Sequence, residues 1–383
     1  MAPSVVEASG EGDRNGVAKG QNGHTNVAAV QLPMESNGSL ENYEHIDLTP
    51  CIGREFPTAN LVDMMNASNS DELIAELAMT ISQRGVVWFR KQDNLSNDLQ
   101  KQLIRRIGQL SGRPSTSDLH IHPVLNTEGE VGENRDPDSE ISTISSKLFS
   151  KVYGRSPDGS LCQKKQNADQ WHSDIAFEPV PADFSSLRLT EIPKAGGDTL
   201  WASGYELYDR ISPPVQKFLE GLTCTFGRPD FIAAAQRGGF KLYEKPRGAA
   251  ENTGGELKAI HPVIRTNPVT GWKSLYPVGQ HCQFINGVTE EESDMFLSWF
   301  KKLLKDNHDL QVRFRWQNVN DIAIWDNRCT FHCATFDFMG LGDRGGNRAV
   351  GCGERPYLDP NSQSRSEALE ASGKEHGKWF MIR

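Results

Sequence analysis

The sequence predicts a mainly β fold with flanking helices, an α+β arrangement built as a sandwich or barrel. Three observations carry this. Short strand-like runs are punctuated by Gly and Pro, helical patterns are few, and no internal repeat is visible. Taken in order, Ser70 is placed to cap a helix whose Leu73, Ile74, Leu77 and Ile81 share one face. GVVWFR (85–90) reads as a buried strand. A second helix carries Leu99, Leu103, Ile104, Ile107 and Leu110 on one stripe. Leu187, Leu189 and Ile192 lie in a partly alternating run, and Ser212 before Pro213 and Pro214 starts a third helix. Thr289 with Glu292 forms a capping box, opening a helix that turns Met295, Phe296, Trp299, Phe300, Leu303 and Leu304 inward. In QVRFRWQ (311–317), Val312, Phe314 and Trp316 oppose Arg313, Arg315 and Gln317, which is strand periodicity with a solvated arginine face. DIAIWDN (321–327) follows it.

The 383 residues allow two or three domains or one large β-rich domain, and are enough to bury a core without disulfides or structural metal. Residues 1–40 contain no Phe, Trp or Tyr, so 1–42 is expected to be a disordered tail and 43–383 a single domain. Residues 126–168 are polar and form a lid-like insertion. With 41 basic against 50 acidic residues the net charge is −9, and no like-charge block suggests nucleic acid. No apolar run is long enough to span a bilayer. MAPSVVEASGEGDRNG lacks the basic start and apolar stretch of a secretion signal, and the seven scattered Cys form no CxxC pair. Reduced thiols and a cytoplasmic location are the expectation. A homo-oligomer stays open.

Two histidine contexts bear chemistry. In Trp171-His172-Ser173-Asp174 an imidazole and a carboxylate stand two positions apart, so on extended chain both point to one side. In WDNRCTFHCA (325–334), His332 follows an apolar run. Two His and one carboxylate on one face of an octahedron form the site used by non-haem Fe(II) oxygenases. An H-x-D pair alone is weak, since a surface histidine often stands beside an acid. Downstream come Arg344 and Arg348, and between the two contexts comes GGDT (196–199). A keto-acid cosubstrate would need such a cation for its remote carboxylate and a hydroxyl beside it.

At these residues the chain resembles the taurine dioxygenase family of Fe(II)/2-oxoglutarate-dependent dioxygenases. WHSDIAFEPVPA (171–182), GGDTLWAS (196–203), WDNRCTFHCA (325–334) and the Arg344/Arg348 pair carry the resemblance. LHIHPV (119–124), HPVIRTNPVTG (261–271) and GVVWFRKQ (85–92) add weaker matches, and the whole spans roughly 45–358. The resemblance implies a double-stranded β-helix (jelly-roll) core. It implies His172, Asp174 and His332 as iron ligands, Thr199 and Arg344 at the remote carboxylate of 2-oxoglutarate, and Arg348 and His122 at the substrate's acidic group. Arg348 is equally a candidate for the cosubstrate. The cofactors implied are Fe(II), 2-oxoglutarate and O2, and the reaction is hydroxylation of a small organic acid, sulfonate-like or carboxylate, with succinate and CO2 formed.

Two departures bear on that small-molecule substrate. The taurine enzymes have a Tyr three residues after the histidine matching His122, where this chain has Leu125. They also have an Asn–Asp pair before the WH motif, where this chain has Ala168-Asp169. Losing a phenol and an amide removes partners for a small zwitterion, so a larger, less polar acid is expected. A tailoring oxidase performing desaturation or ring formation is the alternative within the same chemistry. A catalytically silent jelly-roll binding protein is the alternative from another class. Asp174 itself argues against halogenation, because related halogenases carry a small residue there. His120-x-His122 as a cupin-type metal pair finds no suitable partners, so His120 is read as structural. Cys329 and Cys333, flanking the histidine, are read as small buried fillers rather than thiolate ligands.

Overall fold

Val86–Phe89 is an unbroken apolar run because both of its faces are covered. Val87 and Phe89 meet the helices, while Val86 and Trp88 enter the interior between two sheets. Ile322–Asp326 does the same, with Ile322 and Ile324 turned to the helices and Ala323 and Trp325 to the interior. Two-sided burial replaces the alternation of a half-exposed strand with continuous hydrophobicity. The computed structural model describes residues 33–124, 138–146, 170–338 and 340–373, all of which belong to the compact unit Gln31–Arg383.

These strands are the middle of a seven-stranded sheet. Its spatial order is β1 (Ile46–Asp47), β2 (Arg54–Phe56), β3 (Val86–Phe89), β13 (Ile322–Asp326), β5 (Ala182–Glu191), β15 (Gly345–Cys352) and β4 (Ser142–Ser145). Only β2 and β3 run parallel. Opposite lies the antiparallel sheet β12 (Gln311–Phe314), β6 (Thr199–Ser203) and β14 (Thr330–Ala334). The two sheets share one core: Trp88 stacks on Phe314 at 4.7 Å and meets Trp201 edge-on at 5.8 Å, and Trp201 meets Trp325 at 5.7 Å. This is the double-stranded β-helix. A further antiparallel sheet, β11 (Cys282–Asn286), β7 (Thr223–Gly227) and β8 (Lys258–Pro262), and the hairpin β9 (Ile264–Thr266) with β10 (Lys273–Leu275) complete the strands of the described residues.

Helices α1 (Leu61–Asn66), α2 (Ser70–Arg84) and α3 (Asn97–Leu110) cover the outer face of the large sheet through Leu73, Ile74, Leu77, Ile81, Leu103, Ile104 and Ile107. The remaining described helices are α4 (Gly204–Asp209), α5 (Pro213–Leu219), α6 (Pro229–Gly238), α7 (Glu290–Asp306) and α8 (Arg365–Ala371). None is long and apolar enough to cross a membrane.

Several expectations change in detail. Ser70 is the first residue of α2 rather than its cap, and its hydroxyl accepts from Arg106 at 2.9 Å. The Thr289/Glu292 capping box is present, but of the six residues expected inward from α7 only Phe300 and Leu304 are fully buried. Met295 is 57% exposed, because α7 packs through one narrow stripe. The expected tail is outside the described residues up to residue 32. Residues 33–42, by contrast, are held in place: Ser36 and the Asn37 N–H bond the Glu76 carboxylate at 2.6 and 2.7 Å, and Leu40 is buried. Composition misses such contacts because one leucine and one carboxylate suffice. Of the 126–168 insertion, Ser142–Ser145 adds β4 to the edge of β15, and 126–137 and 147–168 lie outside the described residues.

A buried histidine makes the fold acid-sensitive. The His261 Nε2–H is 3.0 Å from both the Ala176 and Glu178 carbonyls, and burial pushes its pKa down to about 3. The unfolded chain takes up that proton near pH 6.5, so stability is complete above 6.5 and falls steadily as pH drops towards 3. The melting temperature is expected to decline between pH 7 and 5, and less steeply in His261→Gln. Equal slopes would remove His261 from this role.

Candidate metal centre

The backbone brings His172 to His332. The two residues form an isolated antiparallel bridge, with N–H···O bonds of 3.0 and 2.8 Å in the two directions. Their rings lie 4.2 Å apart between centroids, and each Nε2 is 3.9 Å from Asp174 Oδ1. Ligand atoms of His172, Asp174 and His332 all fall within 4.8 Å of one another, the one such cluster of three or more among the described residues.

The side chains of His172 and Asp174 are oriented from behind. His172 Nδ1 donates to the Gln170 carbonyl at 2.7 Å, which leaves Nε2 unprotonated and facing the cluster. Asp174 Oδ2 accepts from Ser185 Oγ at 2.8 Å, and Ser185 Oγ in turn accepts from Asn327 Nδ2 at 2.8 Å. Asn327 Oδ1 accepts from the Asp174 N–H and from Trp325 Nε1, both at 3.0 Å. Ser173 Oγ donates to the Asn327 carbonyl at 2.7 Å. Just past the carboxylate, Ile175 is held at φ 45°, in the left-handed region that a β-branched residue avoids, and Glu178 N bonds back to its carbonyl. Behind His172, Gly279 passes so close that a Cβ there would stand 1.8 Å from the Trp171 carbonyl oxygen, and its φ is 101°. Gly279→Ala is expected to destabilise the protein by at least about 2 kcal/mol, read as loss of soluble protein or a lower melting temperature. A wild-type melting curve would contradict that close approach.

The electrostatics suit a cation. Burial pushes His332 down to about 3 and also lowers His172, so both imidazoles are neutral and able to ligate at pH 7. Although burial opposes it, Arg348 and the two histidines hold the Asp174 carboxyl far below its usual range, so it is ionised. Arg348 Nη1 donates to Asp174 Oδ1 at 2.7 Å. His332 Nδ1 is buried with no partner among the described residues. The donor set is therefore two neutral imidazoles and a carboxylate, which fits ferrous iron. Asn327→Ala is expected to weaken Fe(II) binding about 10- to 100-fold by releasing Asp174 and Ser185, measured by competition with a chelator. Undiminished affinity would show that Asp174 is positioned without this network.

Register places a second charge nearby. β14 pairs with β6 so that His332 opposes Trp201 and Ala334 opposes Thr199, which puts Thr199 on the same face as His332. Arg344 Nε donates to the Gly197 carbonyl at 2.7 Å and Nη2 to Thr199 Oγ1 at 3.1 Å. Trp316 Nε1 also donates to Thr199 Oγ1, at 3.2 Å. With both lone pairs of that oxygen occupied, its own proton is left to donate onward. Arg344 is 5% exposed, and no carboxylate among the described residues pairs with it, since the nearby Asp198 bonds Arg313 at 2.7 Å. Burial lowers its pKa to about 10, so it still carries its charge at pH 7. A buried guanidinium without a counter-ion fits a bound carboxylate.

His122 is also buried. Its Nδ1 accepts from the Val124 N–H at 3.1 Å, which leaves the proton on Nε2, and its ring packs 5.3 Å from Phe231. Leu125, Ala168 and Asp169 lie outside the described residues. His120 is structural: its Nε2 meets Glu178 Oε1 at 3.1 Å, and Glu178 is clamped by Arg247. Cys329 and Cys333 are each 1% exposed with thiols raised by burial, Cys333 to about 12, which suits neutral fillers. Sequence reasoning missed Ser185, Asn327 and Gly279. Asn327 stood inside a quoted motif. The others carry no local signal, since their contacts come from distant strands.

A jelly roll holding a two-histidine, one-carboxylate cluster, with a buried arginine that no carboxylate among the described residues pairs with, fits a metal-dependent oxygenase with an anionic cosubstrate. A family model described as "Taurine catabolism dioxygenase TauD, TfdA family" matches residues 44–352, and the chain belongs to that family. It is 48% identical over 349 residues to the alpha-ketoglutarate-dependent dioxygenase btcD of Neocamarosporium betae, covering 89% of this chain and 100% of the relative. It is also 48% identical over 354 residues to the alpha-ketoglutarate-dependent dioxygenase oryG of Aspergillus oryzae, covering 92% and 100%. A solved taurine dioxygenase from Burkholderia xenovorans shares the fold with a TM-score of 0.60 at 24% identity, over 83% of this chain and 93% of that one. The chain is an Fe(II)/2-oxoglutarate-dependent dioxygenase, which sets aside the silent binding protein.

Proposed function

We propose that the enzyme oxidises a small organic acid with a largely apolar body, its acidic group drawn to Arg348 and His122. In this reading His172, Asp174 and His332 hold the iron, and Arg344 with Thr199 holds the remote carboxylate of 2-oxoglutarate. The observation that carries it is the buried, charged Arg344, which no carboxylate among the described residues pairs with and which bonds Thr199 on the face that Thr199 shares with His332. When bound, iron and 2-oxoglutarate supply the oxidation, in which O2 places one atom in a substrate C–H bond and the other in succinate as CO2 leaves.

The chain's own groups do the positioning. Arg344 binds the remote carboxylate through the guanidinium edge not committed to Gly197 and Thr199, and the Thr199 hydroxyl donates beside it. Arg348, bonded to Asp174, brings a positive charge against the ligand set, where an incoming anion can share it. His122 offers Nε2–H. Phe177 and Phe231, 5.8 Å apart and edge-on, supply an apolar wall that keeps water from the site and suits a less polar substrate body. Six free cysteines among the described residues support a reducing, cytoplasmic setting.

Anaerobic titration of the protein with Fe(II) and 2-oxoglutarate tests the assignment through the visible charge-transfer band of the chelate. The band is expected to form, and to shift when sulfonates or carboxylates with apolar bodies are added. Its absence in folded protein would overturn the ligand assignment. A band indifferent to every acid would overturn the substrate class.

A further inference from the structure

We infer that Arg228 and His281 form a second recognition wall of the substrate pocket, with Arg228 taking a second acidic group so that the preferred substrate is a diacid. The inference rests on the proposed acid substrate and extends it. His281 packs its ring 5.5 Å from that of His172 and 5.5 Å from Phe177. Phe177 meets Phe231, Phe231 meets His122, and the Arg228 guanidinium lies 4.1 Å over the Phe231 ring. These contacts run as an unbroken arc from the ligand His172 to the substrate-side His122, with a cation on the arc.

The backbone places both residues together. The Gly227 N–H bonds the His281 carbonyl at 2.8 Å, and Arg228 follows at the end of β7, where its own N–H bonds the Leu257 carbonyl at 3.1 Å. Neither side chain is an exposed surface group: His281 is 5% and Arg228 9% exposed. His281 Nδ1 is buried with no partner among the described residues, a polar atom available to a ligand. The charges of Arg228 and Arg348 both bear on His122, His172 and His281, so both cations act on the same three histidines. Arg228 pairs with Asp230 at 2.6 Å, a carboxylate that is 56% exposed, so solvent screens that pair. One acid group engages one cation, whereas two cations acting on the same three histidines reward a molecule with an acid at each end.

The test uses the anaerobic Fe(II)/2-oxoglutarate enzyme and the shift of its chelate band. The probes are matched straight-chain acids of equal carbon number, one or two carboxylates each, in a series of increasing length. In wild type the best diacid is expected to bind at least tenfold more tightly than its monoacid. Arg228→Met should reduce the diacid to the monoacid level while the monoacid affinity and the concentration of 2-oxoglutarate needed for the band stay unchanged. Arg228→Lys, which keeps charge, should recover part of the preference. If monoacids shift the band and diacids bind no better, this inference fails and the organic-acid reading survives. If Arg228→Met weakens both probes equally, Arg228 only shapes the wall and the inference fails. If neither probe shifts a normally formed band, the organic-acid reading fails with it.

Discussion

Asp174→Ala is expected to bring iron-dependent succinate formation to background and to lower the melting temperature of the iron-free protein as well. The two losses have separate causes. The first is removal of the carboxylate from the proposed ligand set, whose other members are neutral imidazoles, which leaves two nitrogens to hold a divalent cation. The second is electrostatic. Asp174 is 2% exposed and receives hydrogen bonds from Arg348 and Ser185 at 2.7 and 2.8 Å. Removing one partner of a buried ion pair costs about 3–5 kcal/mol because the other charge stays buried without compensation. Fe(II) affinity by chelator competition, succinate yield and a melting curve read these effects independently. Full succinate formation in the variant would show that the ligand set is misassigned. An unchanged melting temperature would show that Arg348 finds other company.

Arg344→Met should behave in the opposite way on stability. The side chain is buried, charged and without a carboxylate among the described residues, so the fold carries its desolvation cost without a compensating ion pair. A methionine of similar length removes that cost, and the melting temperature is expected to match or exceed wild type. Affinity for 2-oxoglutarate should fall by about 2–5 kcal/mol, the usual loss on truncating one partner of a buried charge pair. That corresponds to roughly 30- to several-thousand-fold, read from the concentration that develops the chelate band. Fe(II) binding should hold. Unchanged cosubstrate affinity would move the role to Arg348, which bonds Asp174 in the iron-free protein.

Much of the fold was legible because its signals are local. Val312 and Phe314 against Arg313 declare a strand by alternation, and the Thr289/Glu292 box declares a helix start by groups three residues apart. The depth of burial was not legible in the same way. Met295 sits in an inward pattern yet lies exposed, because how wide a stripe a helix buries depends on what packs against it. Likewise Leu40 and Ser36 are held by α2, although their neighbourhood reads as featureless.

For the site, the sequence alone determined the inventory: a histidine and an aspartate two positions apart, a distant histidine after an apolar strand, and two arginines four positions apart downstream of it. Those spacings are short-range, and backbone periodicity converts them directly into shared faces. Only the tertiary structure decided which of these groups meet. The bridge from His172 to His332, the bond from Arg348 to Asp174 across 174 positions, the support of Asp174 by Ser185 and Asn327, and the arc from His281 through Phe177 and Phe231 to His122 all join separate elements. The physical reason is that contacts between sheets are selected by packing the whole core at once, so no neighbourhood of a few residues contains them.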